Sequence, residues 1–208
     1  DRLRRRKLRD RKPFALMVRN INEARRLCVL TKDDAALLCS PEAPILILPK
    51  KDDIPAYLDL VSDTATLGLM QPYTPLHVLL FHHPEMDISY SHLIMTSGNL
   101  KGEPIITKIE EAREKLRNIA DLFLYHNREI VFRTDDSVIR NGGEQIFLRR
   151  SRGFVPRTIK LKKPVPSISL AAGGDLKSAP ALAIEDEVYL APYLGDIETA
   201  KTEEAFTE

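Results

Sequence analysis

The sequence predicts an α/β protein built on a mixed β-sheet, and three observations support this prediction. The 208 residues are 43% apolar and 29% charged, a composition typical of a globular chain with a substantial core. Segments with strand character and helix character alternate over the first half of the chain, as in α/β proteins. Short strand-like segments follow one another closely after residue 120, which favours an antiparallel part of the sheet.

The predicted helices begin at residues that can cap a helix N-terminus. Three capping pairs precede helical runs: Asn20 with Glu23, Thr31 with Asp34, and Thr107 with Glu110, the last leading a helix to about Asn118. Thr74 followed by Pro75 places a cap before a proline at the first helical position, and so predicts a helix over residues 76–81.

The predicted strands are short runs of apolar and β-branched residues. They cover residues 14–18, 45–48, 67–70, 92–96, 122–125, 130–133, 137–140 and 146–149. A basic, proline-marked linker then covers residues 160–166. Beyond it the sequence predicts further strands at 168–172, 179–184 and 188–191, and an acidic, helix-like stretch at the end.

Composition narrows the function classes. The formal net charge of +1 gives no global reason to expect nucleic acid or an anionic membrane as a partner. The longest apolar runs are far shorter than the roughly 20 residues of a membrane helix, and no secretory signal is recognisable. Cys28 and Cys39 are the only cysteines, and their spacing fits neither a zinc site nor a disulfide framework. We therefore expect a cytoplasmic protein without a membrane partner.

Positive charge is concentrated in two segments that lie far apart in the sequence. Residues 1–12 carry eight Lys or Arg, and residues 146–163 carry seven with no acidic residue. The two segments could meet and form one basic cavity for an anionic ligand, or they could be two solvated faces. Charge alone leaves both alternatives open.

Three motifs within or near these segments could carry chemistry. Lys7, Arg9 and Lys12 precede a buried-looking strand, and residues 96–99 (TSGN) and 149–153 (RRSRG) each follow one. Cations can hold phosphates, while small hydroxyl and amide side chains suit a nucleotide or a carboxylate. The alternatives are a solvated basic helix, an ordinary turn, and an exposed loop or nucleic-acid patch. His77, His82 and His83 lack other ligands at metal spacing, which favours a structural or surface role and no metal site.

Taken together, these motifs resemble the YrdC-like family. Lys7-x-Arg9 and Lys12–Pro13 are similar to its lysine–arginine signature, residues 96–99 to its Ser-x-Asn motif, and Ser137, Arg149 and Gly153 to its closing region. Longer runs resemble the hydrogenase-maturation carbamoyltransferases of the HypF type: 37–41 (LLCSP), 71–77 (QPYTPLH), 95–104 (MTSGNLKGEP), 134–140 (TDDSVIR) and 148–157 (LRRSRGFVPR). Residues 172–177 (AGGDLK) and 193–197 (YLGDI) resemble the start of that type's actin-like ATPase-fold transferase domain.

The resemblance implies a fold and a domain plan. We expect a YrdC-like twisted mixed sheet with helices around a basic cavity over residues 1–159, with its N-terminal strand missing. A linker at 160–167 and the first strands of an actin-like ATPase-fold domain at 168–208 would follow. The chain would then be a fragment of a longer protein. We expect residues 168–208 to pack against the YrdC-like body or a partner segment and so to leave little apolar surface exposed.

The resemblance also implies a reaction. ATP, with Mg²⁺, and carbamate derived from carbamoyl phosphate would give carbamoyl adenylate and pyrophosphate, for transfer to the C-terminal cysteine of HypE during nickel–iron hydrogenase maturation. No side chain would act as a covalent nucleophile, and zinc is expected only in missing parts of the full-length protein. The implied ATP- and carbamate-binding residues are Lys7, Arg9, Lys12, Thr96, Ser97, Asn99, Ser137, Arg140, Arg149 and Arg152. The alternatives are a threonylcarbamoyl-adenylate synthase of tRNA modification and a double-stranded RNA-binding module, and neither is favoured.

Overall fold

The computed structural model describes residues 1–9, 11–142 and 144–207. The chain divides into two compact units. One, the six-stranded unit, contains the described residues of 11–96 and 136–149. The other, the four-stranded unit, contains the described residues of 1–10, 97–135 and 150–208.

The six-stranded unit is built on a mixed sheet. Its strands are β1 (Ala15–Val18), β2 (Ile45–Pro49), β3 (Thr66–Met70), β4 (His92–Met95), β5 (Val138–Asn141) and β6 (Gln145–Arg149). Their order in the sheet is β4-β1-β3-β2-β5-β6. The pairs β1–β3 and β2–β5 are parallel, and the other neighbouring pairs are antiparallel. The predicted mixed sheet is confirmed.

The core of this unit lies on the central strands. Met17 of β1 and Met70 of β3 pack with Phe81 in one buried cluster. Burying side chains of this size contributes about 1.5–3 kcal/mol each. Gly68 of β3 permits close packing here, because a Cβ at that position would lie 3.1 Å from the side chain of Ile45.

Three helices of the six-stranded unit begin where their caps predict. They are α2 (Ile21–Leu27), α3 (Lys32–Leu38) and α4 (Pro75–Phe81), and a 3-10 helix covers Ala56–Leu60. The side chains of Asn20, Thr31 and Thr74 each accept a hydrogen bond from a backbone N–H of the first turn. Thr31 and Asp34 form the complete capping box. Each helix turns at least one apolar residue into the core, such as Leu27, Leu38 or Phe81.

The four-stranded unit contains a separate antiparallel sheet. Its elements are α1 (Arg2–Arg6), α5 (Ile109–Lys115), β7 (Ile159–Lys160), β8 (Ser169–Ala171), β9 (Ala181–Ile184), β10 (Glu187–Leu190) and α6 (Ala200–Thr207). The order of the strands is β7-β10-β9-β8. The three strands and the final helix predicted beyond the linker are therefore confirmed, each within a few residues.

Three expectations about this unit are wrong. Residues 122–125 and 130–133 are not strands, and Leu122 and Phe132 are 91% and 76% exposed. Their composition suits a strand, but a strand forms only where a neighbour completes its hydrogen bonds. Helix α5 is capped by Lys108 without a side-chain hydrogen bond, not by Thr107.

The third concerns residues 168–208, which expose more apolar surface than expected. Ile168, Leu170 and Leu176 are all exposed, and so is every residue of the edge strand β8. No other element in the described part of the chain covers these side chains. Among the described residues, none of the helices has the length and apolar composition needed to cross a membrane.

Candidate functional site

The centre of the candidate site is the ammonium group of Lys7, which lies at the C-terminal end of α1 and is only 8% exposed. Its Nζ donates to the backbone oxygens of Ser97 (3.0 Å) and Asn99 (2.6 Å), and to Asn99 Oδ1 (3.2 Å). Three acceptors match the three N–H donors of an ammonium group. The structure thus joins two motifs that lie some 90 residues apart in the sequence, and we call these three residues the Lys7 cluster.

Helix α1 is held in place by its other basic side chains. Arg6 Nη1 donates to the backbone oxygen of Ile119 (3.0 Å) and pairs with Asp121 (2.8 Å). Arg2 pairs with the same carboxylate at 3.4 Å. These contacts fix the end of α1, and so they determine where Lys7 enters the cluster.

The turn that carries Ser97 and Asn99 is fixed by its own polar groups. Ser97 Oγ donates to Asn99 Oδ1 (2.7 Å), and Asn99 Nδ2 donates to the backbone oxygen of Glu103 (2.7 Å). Gly102 has φ +78°, a left-handed conformation that favours glycine. Gly98, singled out in the sequence, has no such φ, and a Cβ there would meet no atom within 4 Å.

Glu103 is a site residue that sequence reasoning missed. It supports Asn99 through its backbone oxygen, and a residue type gives no signal for a main-chain acceptor. Its position beside Gly102 in the run 95–104 is the only pointer that the sequence offers.

The Lys7 cluster places a positive charge beside polar side chains. A mostly buried ammonium group adjoins a hydroxyl and an amide on one rigid turn. Its three N–H donors are directed at the turn itself, so Lys7 can favour a nearby anion through its charge and by holding the turn, not through a further hydrogen bond.

Two further residues predicted for the site, Arg9 and Arg152, belong to the four-stranded unit, as the Lys7 cluster does. Arg9 continues the chain after α1, and its backbone N–H donates to the backbone oxygen of Arg4 (3.1 Å). Arg152 is half-buried, and its backbone N–H donates to the backbone oxygen of Asp135 (3.0 Å). Beside it, burial lowers the pKa of Arg150, and Arg157 adds to the effect.

Lys12, Thr96 and Arg140 belong to the six-stranded unit. Lys12 is exposed and precedes β1, while Thr96 follows β4. Because Ala15 of β1 pairs with Met95 of the antiparallel β4, Lys12 and Thr96 lie at the same end of that strand pair. Arg140 is exposed on β5.

Ser137 and Arg149 lie together at one end of the β5–β6 pair, where Val138 pairs with Arg149. Ser137 is fully buried, and its backbone oxygen accepts from Ile45 N (2.8 Å). Arg149 Nε donates to the backbone oxygen of Asp136 (2.6 Å). Strands β3 and β2 lie between β1 and β5, so the register does not bring this pair next to Lys12 and Thr96. The single basic cavity stays a prediction.

No metal site is apparent in the part of the chain that the structure describes, where no group of three or more His, Cys, Asp or Glu could hold an ion. His77 lies in α4, with its ring at 4.7 Å from that of Tyr73 in an edge-on contact.

Comparison with known families divides the chain in the same order as the motifs. Residues 1–151 match the Sua5–YciO–YrdC family, described as "Telomere recombination". Residues 165–208 match the family described as "HypF Kae1-like domain". The exact domain boundaries expected from the sequence remain predictions.

Similar proteins carry both parts in one chain. Carbamoyltransferase HypF2 of Cupriavidus necator is 42% identical over 221 residues, and carbamoyltransferase HypF of Rhodobacter capsulatus is 44% identical over 211 residues. Each alignment covers 100% of this chain and 27% of the relative, so the chain spans about a quarter of these proteins. A crystal structure of full-length HypF in the phosphate- and nucleotide-bound form is 40% identical, with a TM-score of 0.90 over 99% of this chain and 27% of that one.

Proposed function

The chain belongs to the Sua5–YciO–YrdC family in its HypF-type form, and we propose that it binds ATP and carbamate and forms carbamoyl adenylate. In this reaction an oxygen of carbamate attacks the α-phosphorus of ATP, the bond to the β-phosphate breaks, and pyrophosphate leaves. Mg²⁺ enters with the ATP phosphates. The carbamate is derived from carbamoyl phosphate.

The observation that carries the proposal is the Lys7 cluster. A buried ammonium group that holds a Ser-x-Asn turn supports a site for an anionic group, because it combines charge with rigid hydroxyl and amide positions. The phosphate- and nucleotide-bound state of the similar HypF structure supports the choice of nucleotide. In this proposal Lys7 supplies charge and orients the turn, while Ser97 and Asn99 orient the adenylate.

The other predicted residues take supporting roles in the proposal. Arg9 and Arg152, in the same unit as the Lys7 cluster, would neutralise phosphate and carbamate charge. The ligand contacts of Lys12, Thr96, Ser137, Arg140 and Arg149 stay predictions from the family resemblance. The carbamoyl group would pass on to the C-terminal cysteine of HypE in hydrogenase maturation, a step that involves the Kae1-like part of the full-length protein.

Calorimetric titration of the 208-residue chain with ATP and Mg²⁺ tests the proposal. We expect binding in the wild type and a loss of at least tenfold in affinity for Lys7→Ala, since the variant loses the positive charge beside the turn and the hydrogen bonds that hold the turn in place. Arg5→Ala is the matched control, because Arg5 is an exposed cation of the same helix. Equal affinity in Lys7→Ala and Arg5→Ala would contradict the role of the Lys7 cluster.

A further inference from the structure

We propose that α6, in the Kae1-like part of the chain, positions the Ser97–Asn99 turn through an ion-pair network of Glu103, Glu111, Lys115 and Lys201. In this network Lys115 and Lys201 are positioning residues for the site. The expected effect on ATP affinity rests on the proposed function, whereas the expected effect on the position of the Ser97–Asn99 turn does not. All the residues concerned belong to the four-stranded unit.

The first link joins the turn to Glu103. Asn99 Nδ2 donates to the backbone oxygen of Glu103 at 2.7 Å, and Glu103 N donates to the backbone oxygen of Leu100 at 3.2 Å. Ile106 N closes the loop by donating to the backbone oxygen of Gly98 at 3.0 Å. A shift of the Glu103 backbone would therefore disturb the hydrogen bond that holds the side chain of Asn99.

The second link holds the side chain of Glu103 between two lysines. Lys115 Nζ of α5 donates to Glu103 Oε2 at 2.5 Å, and Lys201 Nζ of α6 lies 3.8 Å from the same oxygen. Lys201 also donates to Glu111 of α5 at 2.6 Å, and Lys115 lies 3.1 Å from Glu111. Two acidic and two basic side chains thus alternate.

The network is shielded from water unevenly. The side chains of Glu103 and Lys115 are 24% and 20% exposed, between surface and buried ion pairs, whereas those of Lys201 and Glu111 are 41% and 33% exposed. The hydrogen bond to Glu103 raises the pKa of Lys115, and the hydrogen bond from Lys201 lowers the pKa of Glu111. These shifts have the direction expected when charges stabilise one another.

A hollow of about 110 Å³ adjoins the network, between α6 and the segment of residues 103–106. Its lining includes Glu103, Ile105, Arg133, Lys201 and Glu204. Arg133 Nε donates to the backbone oxygen of Ile105 at 3.1 Å, so the loop is held on this side as well. Glu103 lies in the part matched to the YrdC family, and Lys201 in the part matched to the Kae1-like domain. The network therefore links two family domains at the candidate site.

Hydrogen–deuterium exchange and ATP titration of the 208-residue chain test the proposal together. Lys201→Met and Lys115→Met should accelerate exchange in the peptide covering residues 97–106 and raise the Kd for ATP about three- to tenfold. Lys163→Met is the matched control, since it removes a lysine charge from an exposed position outside the network. Lys201→Arg keeps the charge and should restore both readouts.

The outcomes distinguish a failure of the positioning role of α6 from a failure of the proposed function. Unchanged exchange over 97–106 in both methionine variants would overturn the positioning role. Faster exchange with an unchanged Kd for ATP would also overturn it if Lys7→Ala does lower the affinity for ATP. The network would then stabilise the turn without affecting the site. If the wild type does not bind ATP, the proposed function fails, and faster exchange that Lys201→Arg reverses would still support α6 as the element that positions the turn.

Discussion

Replacing Lys7 by methionine is expected to destabilise the chain by about 3 kcal/mol, because it removes a buried cation from three acceptors. Methionine keeps most of the length and apolar surface of the side chain, so the loss is mainly electrostatic. The oxygens at 3.0, 2.6 and 3.2 Å from Nζ lose a charged donor in a site that is 8% exposed. A buried polar group left without its partner costs about 1–3 kcal/mol, and a hydrogen bond to a charged group contributes about 1.5–3 kcal/mol.

Urea unfolding of the wild type, Lys7→Met and Arg5→Met measures this difference. Arg5 lies on the same helix and is exposed, so its substitution should change the free energy of unfolding by less than about 0.5 kcal/mol. A chain of this size should lose roughly 2–4 °C in Tm per kcal/mol, which gives a shift of about 6–12 °C for Lys7→Met. Equal stabilities of Lys7→Met and Arg5→Met would refute the reasoning.

Three further predictions concern the six-stranded unit. The hydrogen bond from Arg26 lowers the pKa of Glu23 from 4.5 to about 2. A lowered pKa stabilises the fold above pH 4.5, and this stabilisation is lost as the pH falls towards 2. The free energy of unfolding should therefore be about 1–3 kcal/mol higher for the wild type than for Glu23→Gln at neutral pH, and this difference should vanish between pH 4.5 and 2. A difference that stays constant over this pH range would contradict the prediction. Burial raises the pKa of Cys28 to about 12, whereas Cys39 is exposed. A thiol reagent at about pH 8 should therefore modify Cys39 rapidly and Cys28 only when the chain unfolds. Rapid modification of both cysteines in the folded chain would contradict this prediction. Thr31→Ala should cost about 1 kcal/mol by removing a helix cap, measured against Thr31→Ser, and equal Tm values would show that the cap contributes nothing.

Much of the secondary structure could be predicted because its causes are local. Asn20, Thr31 and Thr74 cap the helices that they predict, and six predicted strands form the six-stranded sheet. The order of the strands could not be predicted, since pairing depends on distant partners. Residues 122–125 and 130–133 illustrate the limit: they have strand composition, yet they are not in a described strand.

The candidate site could be predicted as residues but not as contacts. The motifs pointed to Lys7, Ser97 and Asn99, which the fold brings together. That Lys7 binds backbone oxygens of the Ser97–Asn99 turn could not be foreseen, because main-chain acceptors leave no mark on the sequence. The same reason hid Glu103, and the partner Lys201 lies 98 residues beyond it.

Exchange of labelled pyrophosphate into ATP, catalysed by the 208-residue chain, tests the central claim most directly. Formation of carbamoyl adenylate releases pyrophosphate, and the reverse attack of pyrophosphate on the α-phosphorus restores ATP. With carbamate supplied by ammonia and bicarbonate in equilibrium, we predict exchange that Lys7→Ala abolishes and Arg5→Ala retains. Exchange that requires threonine with bicarbonate, or no exchange with carbamate, would contradict carbamoyl adenylation by this chain.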